Sequence, residues 1–456
     1  MNFDPSMMSL ETMHAWELYS ASIGTEIRQC RDEGRDVEPY AKLAEVICEM
    51  KPGTVREELA NIFYKAVMDA PLRADYPYRE PSDLAEIRSA RPAGRKTWNA
   101  PENDELLRKK IAGAWLGRIC GCLLGKPVEG WRTPELHQLL KGSGNFPLRR
   151  YISRDDLRAA DLAHRIGPKA AWIDGIRNGA PADDDTNYTV MAARVIEKYG
   201  RSFTSVDMAE AWMAYQSKNA YCTAERRAFR NFIIGIRPPV SATYKNPDRE
   251  FIGAQIRGDY FGYINPGDPE AAAEMAHRDA CISHVKNGIY GEMFVAAMLA
   301  VAAVCDDVRV VVTEGLKQIP EKSRLYERVS QVIAWYDTGV SEEECFRRIH
   351  KEWNEFDAYD WVHTISNAMI VTACLLYGGM DYSRSICMAV QTGFDTDCNG
   401  ATVGSILGMM LTCDGIDAQW SAPVCGRLHT NLFGMSCVTI DEMTGLTLRH
   451  IAAKEA

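Results

Sequence analysis

Four absences narrow what this chain can be. Its 14 cysteines contain no Cys-x-x-Cys pair, only the single C-x-C of Cys120 and Cys122. They are scattered, and several (Cys374, Cys387, Cys413) sit inside apolar helical patterns. That usage predicts reduced, mostly buried thiols in a cytoplasmic protein rather than a disulfide framework. Positive charge is scarce as well: 52 Lys and Arg face 62 Asp and Glu, a net charge of -10. Phosphate contacts need a basic surface, so a nucleic-acid partner is not expected. The longest apolar stretch, Met293 to Cys305, is too short to span a bilayer. Met1 to Ala21 lacks the basic segment and continuous apolar core of a signal peptide. No membrane partner is expected either. Finally, no segment shows the alternating pattern of a half-buried strand, and the chain reads as all-α.

At 456 residues there is chain enough for one large domain and an extension. The spacing of apolar residues predicts helices over Leu10 to Arg31, Glu38 to Met50 and Val55 to Asp69, the last opening with Thr54 and Glu57 at capping-box spacing. Pro71, Pro77, Pro81, Pro92 and Pro101 then mark a connector. We place a boundary there: residues 1–103 form a helical extension without a chemically active cluster, and 104–456 the main domain. Later helices are expected over Glu105 to Leu124, Phe203 to Asn219, Ala224 to Gly235, Pro269 to His284, Ile289 to Val304 and Asp381 to Gln391. Residues 141–182 read as loops. The polar segment 237–260 reads as a loop suited to embrace a substrate, with Asn246, Gln255, Arg257 and Asp259 as contact candidates. Arg257 would suit a phosphate.

The chain is organised around Gly393-Phe394-Asp395-Thr396-Asp397-Cys398-Asn399-Gly400 and the helix-like run that follows. Gly400, Gly404 and Gly408 recur every four residues, although Gly inside a helix costs about 1 kcal/mol relative to Ala. Gly113, Gly117, Gly121 and Gly125 repeat the same spacing in the helix before Lys126-Pro127-Val128-Glu129. Each set makes a flat ridge, and the two helices are expected to pack together. Asp395 and Asp397 suit a helix N-terminus, but so close they repel unless a proton or cation settles them. Asp183-Asp184-Asp185-Thr186, after the Gly179-Ala180-Pro181 turn, exceeds what one cap needs. The two acidic segments are read as opposite walls of one site for a hard cation, Mg²⁺ or Mn²⁺.

In their order and spacing these segments resemble the ADP-ribosylglycohydrolase family, which includes the dinitrogenase-reductase-activating glycohydrolases. The family's marks are a Gly-spaced helix ending near a Glu, a Thr-Asp-Asp-Thr segment and a late Gly-Gly-Asp-Thr-Asp-Thr segment. Here they fall on Gly113 to Glu129, Asp183 to Thr186 and Gly393 to Cys398. The resemblance implies a compact helical fold and hydrolysis of a glycosidic bond to ADP-ribose at a binuclear Mg²⁺ centre. Asp183, Asp184, Asp185, Asp395 and Asp397 would hold metal, with Glu129 and a metal-bound Asp (Asp184 or Asp395) for acid–base work. Gly393, Phe394, Asn399, His363 and Arg257 are the substrate-binding candidates. His363 and Asn367 stand four apart, on one helical face. An Asp279…His284 pair matches one in the family and reads equally well as structural.

Four positions depart from the family pattern. Asp183 replaces a Thr, Cys398 replaces the Thr closing the late segment, Phe394 replaces a Gly, and Cys122 stands where Asp often follows Gly. A thiol suits Mg²⁺ poorly. The ring of Phe394 would stack on a base or sugar, or narrow the pocket. The substrate that the resemblance implies is an ADP-ribosylated protein or a small ribosyl compound. The alternatives to ADP-ribosyl hydrolysis are a metal-dependent hydrolase of a nucleoside-like compound and a non-catalytic ADP-ribose-binding module.

Overall fold

The computed structural model describes residues 14–94, 96, 98–99, 103–167 and 171–454. They form an all-α protein, with one short antiparallel hairpin pairing Arg427–His429 with Cys437–Thr439. The hairpin's three-residue strands are too short to show an alternating pattern, so periodicity along the chain does not reveal them.

The helix Asn287–Ala302 is buried at every position. Apart from Asn287 and Glu292 its residues are apolar or glycine on every face, so it has no polar face to offer water and takes the centre. Thr364–Tyr377 is buried along all but its last residue. Around these pack Pro269–Ala280, Arg324–Asp337, Tyr382–Gln391 and Thr396–Leu411. Expected and observed helices agree to within a few residues: Ser205–Tyr215, Thr223–Ile233, Pro269–Ala280 and Tyr382–Gln391. Among the described residues of 141–182 the chain is mostly irregular, with a short α-helix, Arg154–Ala159, and 3₁₀ turns at Ala163–Arg165 and Ile173–Gly175.

The closest helix pairing is between Asp104–Gly125 and Thr396–Leu411, which run antiparallel. The two glycine ridges meet rung by rung. A Cβ on Gly113 would lie 2.2 Å from the carbonyl oxygen of Gly408, one on Gly117 2.1 Å from that of Gly404, and one on Gly121 2.0 Å from that of Gly400. The clash is reciprocal, since a Cβ on Gly404 would lie 2.3 Å from the carbonyl oxygen of Gly117. Backbone therefore packs on backbone, a distance at which Cα–H groups approach carbonyl oxygens. The last rung is Gly125, against the backbone of Thr396 and Asp397. Thr396 Oγ1 also donates to the Gly125 carbonyl at 3.0 Å.

The N-terminal helices Ile23–Asp32, Ala41–Glu49 and Thr54–Met68 bury a small apolar cluster of their own around Ile23, Ile47 and Phe63. The first part of the helix expected from Leu10, up to residue 13, lies outside the described residues, as does Pro101. The capping box expected at Thr54 does not form: Thr54 is already helical, and Gly53 at the N-cap has no side chain to accept a bond. Buried polar contacts tie this unit to the rest. Arg249 pairs with Glu26 at 2.6 Å and with Glu33 at 2.5 Å. Gln29 Nε2 donates to Glu250 at 2.6 Å. All are almost fully buried, which charged groups tolerate only when paired in this way.

The glycine ladder makes a direct prediction. Gly117→Ala gains about 1 kcal/mol of helix propensity, but it drives a methyl into backbone that has no flexible end to yield. We expect a net loss of about 2 kcal/mol or more, at the upper end of overpacking costs. Denaturant unfolding of the purified variant beside wild type checks it, and an unchanged or raised midpoint would refute the close approach.

Candidate metal centre

Three backbone segments converge at the end of the glycine ladder. The helix Asp104–Gly125 finishes there and continues through a short 3₁₀ turn, Lys126–Val128, to Glu129. Thr396–Leu411 begins there, with Asp395 at its N-cap and Asp397 in its first turn. Asp184–Tyr199 also begins there, capped by Asp183, whose side chain accepts the Asp185 backbone N–H at 3.0 Å. Two helix N-termini favour the carboxylates and one helix C-terminus favours the cationic Lys126.

Ligand atoms of Glu129, Asp395 and Asp397 lie within 4.8 Å of one another, as do those of Asp185, Asp397 and Cys398, and those of Cys122, Asp183 and Asp185. Asp185 is 0% exposed, Asp397 1% and Asp395 4%. Even so, Asp185 Oδ2, Asp395 Oδ1 and Asp397 Oδ1 have no hydrogen-bond partner. Buried carboxylate oxygens left without a donor are costly, and clustered oxygen donors are what a hard divalent cation takes. The residues present fit such an ion. They fit it better through oxygen than sulfur, because burial and then the neighbouring carboxylates push the thiols of Cys122 and Cys398 well above their usual range.

The electrostatics of the cation-free cluster show the same demand. Burial, followed by the charge of a neighbouring Asp, raises the carboxyls of Asp184, Asp185 and Asp395 well above their ordinary range. Glu129 is pushed up to about 7 by the charge of Asp397 first and by burial second. Asp183 goes the other way. Burial would raise it, but the ammonium of Lys126 overrides that and holds it low.

Two basic residues with no role in the sequence reading complete the centre. Arg118, 0% exposed, projects from the glycine helix. Its Nε donates to the Asp185 carbonyl at 2.9 Å, its Nη2 to the Ile256 carbonyl at 2.6 Å, and its Nη1 pairs with Asp259 at 2.9 Å. It locks the Asp183–Asp185 turn to the interior. Lys126 Nζ reaches Asp183 at 2.6 Å, Glu129 at 2.7 Å and Asp397 at 3.0 Å. Arg118 leaves a trace in the sequence as a charge within an apolar, Gly-spaced helix. Lys126 leaves almost none, since a Lys at a helix C-terminus is ordinary.

The expected substrate contacts need correction. Phe394 is 0% exposed, with its ring 5.0 Å from that of His350, so it cannot stack on a base or sugar. Its φ of +55, next to Gly393 at +80, puts it in a left-handed turn, which accounts for Gly in the family pattern. Ring burial and the 2.6 Å bond from Trp361 Nε1 to its carbonyl offset that strain. His363 is also 0% exposed; its Nδ1 accepts the Ile365 N–H and caps the helix Thr364–Tyr377. Burial lowers its pKa to about 3, so it stays neutral. Asn399 is buried and donates to Asn367 Oδ1 at 2.8 Å, and the same oxygen accepts the Asp395 N–H at 3.2 Å. Asn367 and Asn399 brace the acidic turn. A Cβ on Gly393 would meet Glu355 at 2.7 Å, so Gly393 serves the turn.

Segment 237–260 is corrected as well. Instead of a loop over the site, much of it is interior: Asn246, Gln255, Arg257 and Asp259 are at most 2% exposed. Arg257 is neutralised by Asp279 at 2.5 Å and Glu225 at 2.7 Å and is not free for a phosphate. Asn246 donates to the carbonyls of Ala242 and Ser283. His284, from the expected pair, hydrogen-bonds to Ser283 and not to Asp279.

An all-α fold that gathers carboxylates at one end of a glycine-packed helix pair is a candidate divalent-cation centre. The comparisons specify it further. The description ADP-ribosylglycohydrolase matches residues 103–445, and the chain belongs to that family. An uncharacterized protein of Archaeoglobus fulgidus is 20% identical over 303 residues, covering 66% of this chain and 88% of its own. A solved structure described as an ADP-ribosylglycohydrolase-related protein complex is 18% identical, covers 76% of this chain and 99% of its own, and has a TM-score of 0.44. No helix among the described residues is long and apolar enough to cross a membrane, and all 14 cysteines are free.

The raised carboxyls set a pH dependence. A carboxyl raised in the folded state favours folding at low pH and loses that contribution as the pH rises through its folded value, about 7 for Glu129. The side chain of Glu129 is 41% exposed, so solvent screens part of its share. Asp184, Asp185 and Asp395 act in the same direction, and Asp183 opposes them. Saturating Mg²⁺ should therefore raise the thermal midpoint more at about pH 8 than at about pH 5. Equal or smaller stabilisation at the higher pH would contradict the clustered-carboxylate reading.

Proposed function

We propose that residues 104–456 form a metal-dependent hydrolase that cleaves a glycosidic bond to ADP-ribose. The observation that carries this reading is the set of buried, unpartnered oxygens on Asp185, Asp395 and Asp397 beside the half-exposed Glu129, in a chain of the ADP-ribosylglycohydrolase family. A bound Mg²⁺ or Mn²⁺ would supply Lewis acidity toward ribose hydroxyls and make a nearby water easier to ionise.

Asp185, Asp395 and Asp397 would hold the cation, oriented by Arg118 and Asn367. Asp395 therefore acts as a ligand, since it is 4% exposed and cannot shuttle protons to solvent freely. Glu129 lies at the mouth of the cluster with its proton affinity tuned to about 7, where a carboxyl both takes and gives a proton near neutrality. It is the candidate for moving the proton between water and the leaving group. Asp184, half-buried and also raised, is the second candidate. Phe394 and much of segment 237–260 are turned into the interior and lend no support to a small ribosyl substrate.

The test is hydrolysis of ADP-ribosyl-arginine, ADP-ribosyl-serine and free ribosyl nucleosides with Mg²⁺, Mn²⁺ or a chelator. Metal-dependent release of ADP-ribose is expected, with kcat reduced about 10²–10⁴-fold in Glu129→Gln. Turnover of nucleosides alone would move the assignment to small-molecule chemistry. Binding of ADP-ribose without turnover of any substrate would leave a binding module.

A further inference from the structure

Lys126 occupies an unusual position for a surface-type side chain. It leaves the C-terminal end of the glycine helix and turns its ammonium into the carboxylate cluster, where the side chain is only 28% exposed. Three carboxylates surround Nζ: Asp183 at 2.6 Å and Glu129 at 2.7 Å as ion pairs, and Asp397 at 3.0 Å, to whose Oδ2 it donates. These three come from three different backbone segments, so the ammonium joins them as a bound cation would.

The oxygens then divide into two sets. Asp183 Oδ2, Glu129 Oε2 and Asp397 Oδ2 face the ammonium. Asp185 Oδ2, Asp395 Oδ1 and Asp397 Oδ1 have no hydrogen-bond partner; Asp183 Oδ2 has none either, but it has the ammonium at 2.6 Å. Asp397 bridges the sets, one oxygen to each. A divalent ion bound through the first set would compete with the ammonium hydrogens for the same lone pairs. It would also sit against a positive charge in a poorly solvated place. The second set carries no such obstacle. Asp183 supports the same division, because the family segment it matches opens on a neutral Thr. Its extra negative charge is the one nearest Lys126.

We infer that Lys126 fills one of two cation positions in this centre, so that the protein takes one divalent ion, on Asp185, Asp395 and Asp397, where a binuclear site would take two. This rests on the metal-dependent reading above and deepens it. The tethered ammonium would keep Asp183, Glu129 and Asp397 gathered whether or not an ion is bound.

The experiment is a count of bound Mn²⁺ on chelator-stripped full-length protein, by calorimetric titration and by the electron paramagnetic resonance spectrum of the bound ion. Wild type should bind one Mn²⁺ per chain with the six-line spectrum of an isolated ion. Lys126→Met, which keeps the stem and removes the charge, should bind two with a spectrum broadened by spin coupling, and Lys126→Arg should remain at one. Two ions on the wild type would overturn the inference and leave the proposed function standing. One ion on both wild type and Lys126→Met would also overturn it. No binding to the wild type would overturn both readings. If Lys126→Met does not fold, Lys126→Gln is read in its place, and a wild-type count of two overturns the inference by itself.

Discussion

Everything at the centre depends on the backbone contact between two glycine-ridged helices. With a Cβ at Gly117, Gly121, Gly400 or Gly404 the helices would have to part, and the ends that carry Lys126, Glu129, Asp395 and Asp397 would part with them. A pair of helices normally packs 8–10 Å apart through side chains. Here the side chains are missing along the seam, so carbonyl oxygens meet Cα atoms directly. The lost helix propensity is offset by a contact that fixes the spacing of charged groups at the end of the seam to within an ångström or so.

The acidic cluster is the second constraint, and it exists only because other groups hold it together. Burial first, and then the repulsion between carboxylates this close, raises the proton affinities of Asp184, Asp185 and Asp395. Two helix N-termini, the Arg118 guanidinium and the Lys126 ammonium offset part of that repulsion. Arg118 does so from beneath and Lys126 from within the cluster. The remaining unsatisfied oxygens are the demand that a divalent cation would meet. Stability and function are thus opposed at this site, as is common where strained or repulsive groups serve chemistry.

The polar interior shows how burial changes the meaning of a sequence. Segment 237–260 has the composition of a surface loop, yet Arg249, Glu250, Gln255, Arg257 and Asp259 are all buried and paired. Arg249 joins the N-terminal helices to the main body, and Arg257 neutralises Glu225 and Asp279. Asn367 and Asn399 likewise became braces of the Asp395 turn, and His363 the cap of the helix Thr364–Tyr377. Polar residues in an irregular segment read as solvated because solvent is their commonest partner. A pairing partner some 200 residues away, as Glu33 is for Arg249, leaves no local trace.

What the sequence determined by itself was periodic or repeated: the all-α class, most helix spans, the two glycine ridges and their mutual packing, and the acidic segments of the centre. These are local patterns, and the order of three such patterns was enough to point to the family. Tertiary structure alone decided which polar side chains face a ligand and which face one another. Lys126 and Arg118 became part of the centre, and Phe394, His363 and Arg257 were withdrawn from it, for one physical reason. Whether a charge or ring is available depends on partners and burial set by distant segments, and spacing along the chain encodes neither.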